Sequence, residues 1–202
     1  MSIEGSITAL VTPMNEKGDL DYNSLEKLIN FQIDSGISGL VAVGTTGESA
    51  TIDFEDHIKL IEFFIKISNG RVHIIAGTGA NSTEEALHLT REAKSLGADA
   101  ALLVSPYYNK PTQEGLFLHF SEIAEKVDLP QIIYNVPSRT ASNVDVSTVG
   151  RLCSHKNIIG IKDATGDMGV LENLQKECKL EIDTGNFSLY SGDDETSFDF
   201  IL

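Results

Sequence analysis

Short apolar runs recur along this chain at intervals of about 30 residues, and this rhythm restricts the possible folds more than any other feature. Most of the runs are continuously apolar rather than alternating, which is typical of parallel strands buried on both faces. The sequence predicts seven such strands: Ser6–Leu10, Gly39–Val43, Val72–Ala76, Ala100–Val104, Gln131–Asn135, Ile158–Lys162 and Phe187–Ser191.

The segments between the predicted strands have the periodicity of helices. Helices are predicted near residues 22–35 and 53–68, and in the stretches STEEALHLTREAKSLG and TQEGLFLHFSEIAEKV. Ser82 and Glu85 form a capping-box pattern at the start of the third helix, and Gly97 gives that helix a stop signal. A chain that alternates strands and helices in this way belongs to the α/β class with a parallel sheet.

The even spacing and the positions of polar residues favour a (β/α)8 TIM barrel over a doubly wound sheet. Several predicted strands are followed by residues capable of chemistry, at the end where barrel enzymes place their sites. These residues are Thr12, Thr45, Thr46, Tyr134 and Lys162. Because a barrel has eight strands, we expect residues 1–202 to form one catalytic barrel domain without its eighth strand and later parts. Such a chain would be part of a longer molecule or an inactive truncated fragment.

Charge and hydropathy exclude several classes of function. The formal net charge of −15 and the pI of about 4.6 predict an acidic surface that repels phosphate backbones, so no nucleic-acid partner is expected. No stretch approaches the roughly 18 apolar residues of a membrane span, and the N-terminus lacks the pattern of a secretory signal. We therefore expect a cytoplasmic protein without a membrane partner. Cys153 and Cys178 are expected to be reduced, and the histidines lack the spacing of metal ligands.

Lys162 follows a buried-strand pattern in the stretch NIIGIKDATGD. A lysine amine becomes nucleophilic when burial lowers its pKa, and it can then form a Schiff base with a carbonyl substrate. Two structural alternatives remain open from the residues alone. The side chain could extend outward to solvent, or it could form an ion pair with Asp163.

Three loops after other strands carry further candidates. The loop GTTGES has glycines, hydroxyls and N–H groups that could hold a carboxylate, or it could be a turn whose Thr or Ser caps the helix beginning near Asp53. In IIYNVPSRT, Tyr134 could shuttle protons and Arg139 could bind a carboxylate with two hydrogen bonds; the alternatives are a core aromatic and a solvated charge. The paired tyrosines of SPYYNKP suit a site or a subunit interface.

Taken together, GTTGE, SPYYNKP, YNVPSRT, GIKDATGD and LYSGDD, in this order and spacing, resemble the dihydrodipicolinate synthase family. This family belongs to the pyruvate-dependent class I aldolases of the N-acetylneuraminate lyase superfamily, and the resemblance extends over essentially the whole chain. It implies a Schiff-base-forming lyase that condenses pyruvate with L-aspartate 4-semialdehyde, giving 4-hydroxy-tetrahydrodipicolinate in diaminopimelate and lysine biosynthesis. It implies no metal and no organic cofactor.

The resemblance assigns catalytic roles to four residues. Lys162 would form the imine, and Tyr134 would be the central proton shuttle. Thr45 would connect Tyr134 to a second tyrosine, Tyr108, which a neighbouring subunit contributes. The oligomer implied is a homotetramer built as a dimer of dimers.

The resemblance also implies substrate-binding and regulatory positions. Thr46 would hold the pyruvate carboxylate, Arg139 would bind the carboxylate of the semialdehyde, and the carbonyl of Gly192 would lie near the imine. Lysine would act as an allosteric feedback inhibitor at a site formed by Ser49, Ala50, His57, Asn81, Glu85 and Tyr107.

A sister enzyme remains an alternative, namely a pyruvate-dependent lyase of sialic acid or of a 2-keto-3-deoxy sugar acid. The lysine and tyrosine chemistry is common to these enzymes, so Lys162 does not discriminate between them. Arg139 and the threonine pair of GTT favour the synthase.

Overall fold

The computed structural model describes residues 3–201. This part of the chain contains seven strands: β1 (Ile7–Ala9), β2 (Gly39–Ala42), β3 (His73–Gly77), β4 (Ala100–Val104), β5 (Gln131–Asn135), β6 (Ile158–Asp163) and β7 (Ser188–Ser191). The helices of the same part are α1 (Tyr22–Asp34), α2 (Phe54–Ser68), α3 (Thr83–Leu96), α4 (Gln113–Lys126), α5 (Pro137–Thr140), α6 (Val146–Leu152), α7 (Met168–Glu177), α8 (Lys179–Asp183) and α9 (Ser197–Ile201).

The strands follow one another in the sheet in chain order, from β1 to β7. The pairs β1–β2, β2–β3, β3–β4, β5–β6 and β6–β7 are parallel. A doubly wound sheet reverses its strand order at a switch point, whereas each strand of a TIM barrel pairs with the next strand along the chain. The order within the described residues is that of the barrel, which confirms the predicted fold class with seven strands.

The strand predictions were accurate to one residue at each end. β4 and β5 have the predicted bounds, and β6 extends one residue further, to Asp163. Ser82 accepts a hydrogen bond from Glu85 N at 3.4 Å at the start of α3, as the capping pattern predicted. Gly97 ends the helix with a φ of 95°, which glycine adopts without strain.

By its internal contacts the chain divides into two compact units. The first unit comprises residues 3–78 and 89–102, and the second comprises 79–88 and the chain from 103 onward. The single-domain prediction is not tested by this division and stays a prediction.

In the first unit, side-chain caps begin the helices that cover the strands. Asp21 accepts from Ser24 N at 3.0 Å before α1, and Asp53 accepts from Asp56 N at 2.9 Å before α2. Such caps satisfy amide groups that have no partner within the helix. The two helices bury an apolar face that consists of Leu25, Ile29, Leu60, Ile61 and Phe64.

In the second unit, α4 begins at Thr112, whose hydroxyl accepts from Gly115 N at 3.2 Å. Its buried apolar residues are Leu116, Phe120, Ile123 and Ala124. Cys153 and Cys178 are also buried here, and both are free thiols. Across residues 3–201, no helix is both long enough and apolar enough to cross a membrane.

Candidate active site

Lys162 lies at the carboxyl end of β6, opposite Tyr134 of β5 in the parallel register. Its amine nitrogen is 4.6 Å from the centroid of the Tyr134 ring, and the lysine is half-buried. Burial lowers the pKa of the Lys162 amine below the ordinary value of 10.5, and the charge of Asp194 partly opposes this shift. The neutral amine is the nucleophile in imine formation, so this environment favours the chemistry predicted for Lys162.

The Asp163 carboxylate, one residue further along, is engaged by other groups. It accepts hydrogen bonds from Asn135 Nδ2 at 3.0 Å, from Thr165 N at 3.1 Å and from the Thr165 hydroxyl. Because neighbouring residues of a strand alternate, Asp163 and Lys162 face opposite sides of the sheet. Within residues 3–201 no carboxylate lies within ion-pair distance of the Lys162 amine, so the Lys162–Asp163 pair considered from the sequence is not formed.

Gly192 follows β7 and approaches the lysine side chain closely. Its amide donates to Asp163 O at 2.7 Å. A Cβ placed on Gly192 would lie 2.8 Å from Lys162 Cε and 3.0 Å from Ala164 Cβ. Only glycine allows the stem of Lys162 to occupy its present position, which gives this glycine a steric role beside the amine.

Tyr134 is buried, with 7% of its surface exposed, at the end of β5. Burial raises the pKa of its phenol, and the positive charge of Arg139 partly lowers it again. The phenol is therefore protonated at neutral pH and can donate a proton to a group beside it. Arg139 itself is exposed on the short helix α5.

The two tyrosines of the loop after β4 have different environments. Tyr107 is half-buried, and its amide donates to Asn81 Oδ1 at 2.8 Å. Tyr108 is 90% exposed and has a φ of 68°, a conformation that bulky residues adopt rarely. A strained and exposed aromatic at a loop tip is suited to contact another molecule.

The GTTGE loop after β2 lies in the first unit and is folded tightly on itself. Glu48 N donates to Thr45 O at 3.1 Å, and the Thr12 hydroxyl donates to Gly47 O at 2.7 Å. The side chains of Thr45 and Thr46 are exposed. Neither caps the following helix.

The cap of that helix is Asp53 itself, which accepts from Asp56 N. The alternative interpretation, that a Thr or Ser of the loop caps this helix, is therefore wrong.

The six positions of the predicted lysine site fall in both units. In the second unit, Asn81 holds Tyr107 by the hydrogen bond described above, and Glu85 is exposed in the first turn of α3. In the first unit, Ser49 is half-buried and Ala50 is exposed.

His57 also belongs to the first unit, and it is buried. Its Nε2 lies 2.7 Å from the carbonyl oxygen of Gly77. Burial lowers the pKa of His57, so the ring is held as a neutral hydrogen-bonding group.

The second unit thus brings together Lys162, Tyr134 and Gly192. Sequence reasoning missed the hydrogen bond between Asn135 and Asp163, which lies directly beside the Tyr134–Lys162 pair. The sequence did contain a signal for it: Asn135 directly follows Tyr134, and Asp163 directly follows Lys162, on two neighbouring strands. Within residues 3–201, no three His, Cys, Asp or Glu side chains are grouped as metal ligands.

Barrel enzymes place their sites at the carboxyl ends of the strands, and a desolvated lysine there has the environment in which a lysine can form an imine. Comparison with known proteins specifies the class further. The chain belongs to the Dihydrodipicolinate synthetase family, whose model matches residues 2–202.

Two similar relatives have the same name. A 4-hydroxy-tetrahydrodipicolinate synthase of Pseudomonas putida (strain W619) is 55% identical over 204 residues, which cover 99% of this chain and 67% of the relative. A synthase of Ruthia magnifica is 54% identical, and the match covers 66% of its length. The chain therefore spans about two thirds of the length of these relatives.

A solved structure has the same fold. The chloride-inhibited dihydrodipicolinate synthase of Acinetobacter baumannii, complexed with pyruvate, superimposes with a TM-score of 0.94 at 52% identity. The match covers 99% of this chain and 67% of that one.

Proposed function

We propose that the protein condenses pyruvate with L-aspartate 4-semialdehyde through an imine on Lys162, giving 4-hydroxy-tetrahydrodipicolinate. The observation that carries this proposal is the half-buried Lys162 amine, which has a lowered pKa and lies 4.6 Å from the ring centroid of Tyr134. The family and the names of the relatives support the synthase over the sialic acid and sugar-acid lyases. The product is an intermediate on the route to diaminopimelate and lysine.

The first half of the reaction joins pyruvate to the enzyme. The neutral Lys162 amine attacks the keto carbon of pyruvate, and the hydroxyl of the adduct leaves as water to give the imine. Loss of a proton from the methyl group converts the imine to an enamine. The protonated phenol of Tyr134 donates the proton with which the hydroxyl leaves as water, and the phenolate so formed takes the proton from the methyl group, which restores the phenol.

The second half forms the carbon–carbon bond and releases the enzyme. The enamine carbon attacks the aldehyde carbon of the semialdehyde, and a proton transferred to the aldehyde oxygen leaves a hydroxyl group. The substrate's own amine then displaces Lys162 from the imine carbon, which closes the ring and regenerates the free lysine. No oxidant or reductant is needed at any step.

The remaining residues hold the substrates or extend the proton path. We infer that Thr46 binds the pyruvate carboxylate, that Arg139 binds the semialdehyde carboxylate, and that the carbonyl of Gly192 lies near the imine. Thr45 would connect Tyr134 with Tyr108 of a neighbouring subunit. The exposure of Tyr108 and Arg139 supports these roles.

The test is a comparison of second substrates. Purified protein is incubated with pyruvate and either L-aspartate 4-semialdehyde or an aldose such as N-acetylmannosamine, and the consumption of pyruvate is followed. We expect turnover with the semialdehyde and none with the sugar. Turnover with the sugar alone would support the lyase alternative, and no turnover with either would support the inactive-fragment alternative.

We also propose that the protein is a cytoplasmic homotetramer, built as a dimer of dimers. The 90% exposure of Tyr108 supports a contact with another subunit, and buried free thiols are usual in a reducing compartment. Sedimentation velocity is the test of assembly. Four copies are expected, and a single copy at micromolar concentration would contradict the proposal.

We also propose that lysine inhibits the enzyme by binding at the predicted lysine site. A dihydrodipicolinate synthase of Cyanidioschyzon merolae, 36% identical over 98% of this chain, has a structure with lysine bound. In this chain Asn81 and Glu85 offer an amide and a carboxylate to the two charged ends of an amino acid. We expect Glu85→Gln to weaken inhibition by lysine, whereas Glu84→Gln, in the same helical turn, leaves inhibition unchanged.

A further inference from the structure

The pairing of β5 with β6 changes register once. Gln131 pairs with Ile158, but the next residue, Ile132, pairs with Gly160. Ile159 is therefore an extra residue on β6, which is a β-bulge. Bulges commonly lie near active sites, where they change the direction of a side chain.

The shifted register decides which residue Tyr134 meets. Beyond the bulge Tyr134 pairs with Lys162, and on the other face Asn135 pairs with Asp163. If the offset before the bulge continued, Tyr134 would pair with Ile161 instead. A slip of one residue also turns every side chain to the other face of the sheet.

A hydrogen bond between buried side chains joins the two strands directly after the Tyr134–Lys162 pair. Asn135 Nδ2 donates to Asp163 Oδ2 at 3.0 Å. Asn135 Oδ1 also accepts from Val144 N at 3.0 Å, and Asp163 Oδ1 accepts from Thr165 N at 3.1 Å. Each residue is thus tied both to the neighbouring strand and to the chain that follows its own strand.

This hydrogen bond exists only in the shifted register, because in the other register Asn135 would pair with Lys162. We propose that the Asn135–Asp163 hydrogen bond stabilises the register of β5 and β6 in which Tyr134 lies beside Lys162, so that both residues position this pair. The two residues act through this pair and touch neither substrate. The proposal rests on the proposed imine chemistry for its kinetic readout.

The test uses three variants of the full protein: Asn135→Asp, Asp163→Asn, and both changes together. Asn135→Asp places two carboxylates side by side, so that neither can donate a hydrogen bond to the other. Asp163→Asn places two amides side by side and removes the carboxylate that accepts from Asn135. The combined variant exchanges the two groups. Its carboxylate at position 135 can still accept from Val144 N, and its amide at position 163 can still present an oxygen to Thr165 and an N–H to the partner strand. The exchange gives up the hydrogen bond that Asn135 Nδ2 donates to Asn143 Oδ1 at 3.1 Å, which the Asn135→Asp variant also lacks.

The rate at which borohydride traps pyruvate on the protein is measured at saturating pyruvate. Each single change is expected to lower this rate about tenfold to a hundredfold, since a displacement of about 1 Å is enough to do so. The combined variant is expected to recover most of the rate. Asp19→Asn is the matched control, because Asp19 accepts from Asn15 Nδ2 at the same 3.0 Å in an exposed loop, and no change is expected there.

Single variants that trap pyruvate at the normal rate would overturn the proposal. A combined variant that is folded by circular dichroism yet as slow as the single variants would also overturn it, because the reversed hydrogen bond joins the same two strands in the same register. If the single variants do not fold, the combined variant alone decides in the same way.

Failure of the wild-type protein to trap pyruvate would instead count against the proposed function. A crystal structure of Asp163→Asn would then test the role of the Asn135–Asp163 hydrogen bond. Unchanged pairing of Tyr134 with Lys162 would overturn the proposal, and a shifted or broken pairing would support it.

Discussion

Gly192 leaves the space that the Lys162 side chain occupies: a Cβ on this glycine would lie 2.8 Å from Lys162 Cε and 3.0 Å from Lys162 Cγ. Contacts this short between carbon atoms are strongly repulsive. The Lys162 amine is thus positioned by the strand that carries it and by the backbone that follows the next strand.

Substituting Gly192 by alanine should displace the lysine without removing it. We expect Gly192→Ala to slow the trapping of pyruvate by about a hundredfold, because a small misplacement of a reacting group has an effect of that size. Gly115→Ala, in α4, is the control: its new Cβ would meet neighbours at an ordinary 3.4 Å. Equal rates for the two variants would contradict the steric role of Gly192.

Removal of the Tyr134 hydroxyl should affect proton transfer and leave the packing intact. We expect Tyr134→Phe to lower the rate of condensation by about a hundredfold or more, which is the usual contribution of a positioned acid or base. Tyr22→Phe is the control, since that ring packs edge-on to Phe63 in the first unit and has no proposed role. A Tyr134→Phe variant with full activity would exclude the phenol from the reaction.

Asp194 should tune the pH dependence of the lysine. The rate of imine formation should rise with pH as the amine loses its proton, with a midpoint below 10.5 because burial lowers the pKa of Lys162. The charge of Asp194 raises this pKa, so Asp194→Asn should move the midpoint to lower pH.

The measurement is the rate of borohydride trapping from pH 6 to pH 10. Asp183→Asn removes an equal charge that is paired with Lys179 at 2.7 Å, and it should leave the midpoint unchanged. A shift of the midpoint to higher pH in Asp194→Asn would contradict the assignment.

His119 should make the protein sensitive to mild acid. It is buried on α4, its Nδ1 lies 2.8 Å from the Thr83 hydroxyl, and within residues 3–201 its Nε2 has no hydrogen-bond partner. Burial lowers the pKa of His119 to about 4, whereas in the unfolded chain it is about 6.5. Between these values only the unfolded state binds the proton, so stability falls as the pH decreases.

The expected loss from this residue is about 2 kcal/mol of unfolding free energy between pH 7 and pH 5. His119→Asn retains a hydrogen-bonding group but no titrating ring, so its unfolding free energy should change less over this range. Urea denaturation at both pH values measures the difference, with the exposed His88→Asn as control. A variant as acid-sensitive as the wild type would contradict the prediction.

The strands and the principal candidate site residues could be predicted because each is indicated by residues that are close together in the sequence. Continuously apolar runs gave β4 and β5 their correct bounds, and the position of Lys162 at the end of such a run indicated a special role. The motifs around Tyr134 and Arg139 carried the resemblance to the family, which the comparisons confirmed.

The register of β6 could not be predicted, because an apolar run around Ile159 has no alternation from which to read it. The contact of Gly192 with Lys162 depends on the pairing of β6 with β7, which is not local. His119 was considered only as a metal ligand, yet it lies beside Phe120 on the buried face of α4. Its environment depends on packing between helices.

Formation of an imine between Lys162 and pyruvate is the step on which the proposed reaction depends. The protein is incubated with pyruvate, reduced with borohydride, and analysed by intact mass spectrometry and peptide mapping. We expect the mass of one reduced pyruvyl group on the peptide that contains Lys162, and no such mass in Lys162→Gln. Lys156→Gln, which changes a surface lysine near Asp128, should give the same result as the wild type. A folded protein that acquires no adduct, or acquires it at another lysine, would contradict imine formation at Lys162.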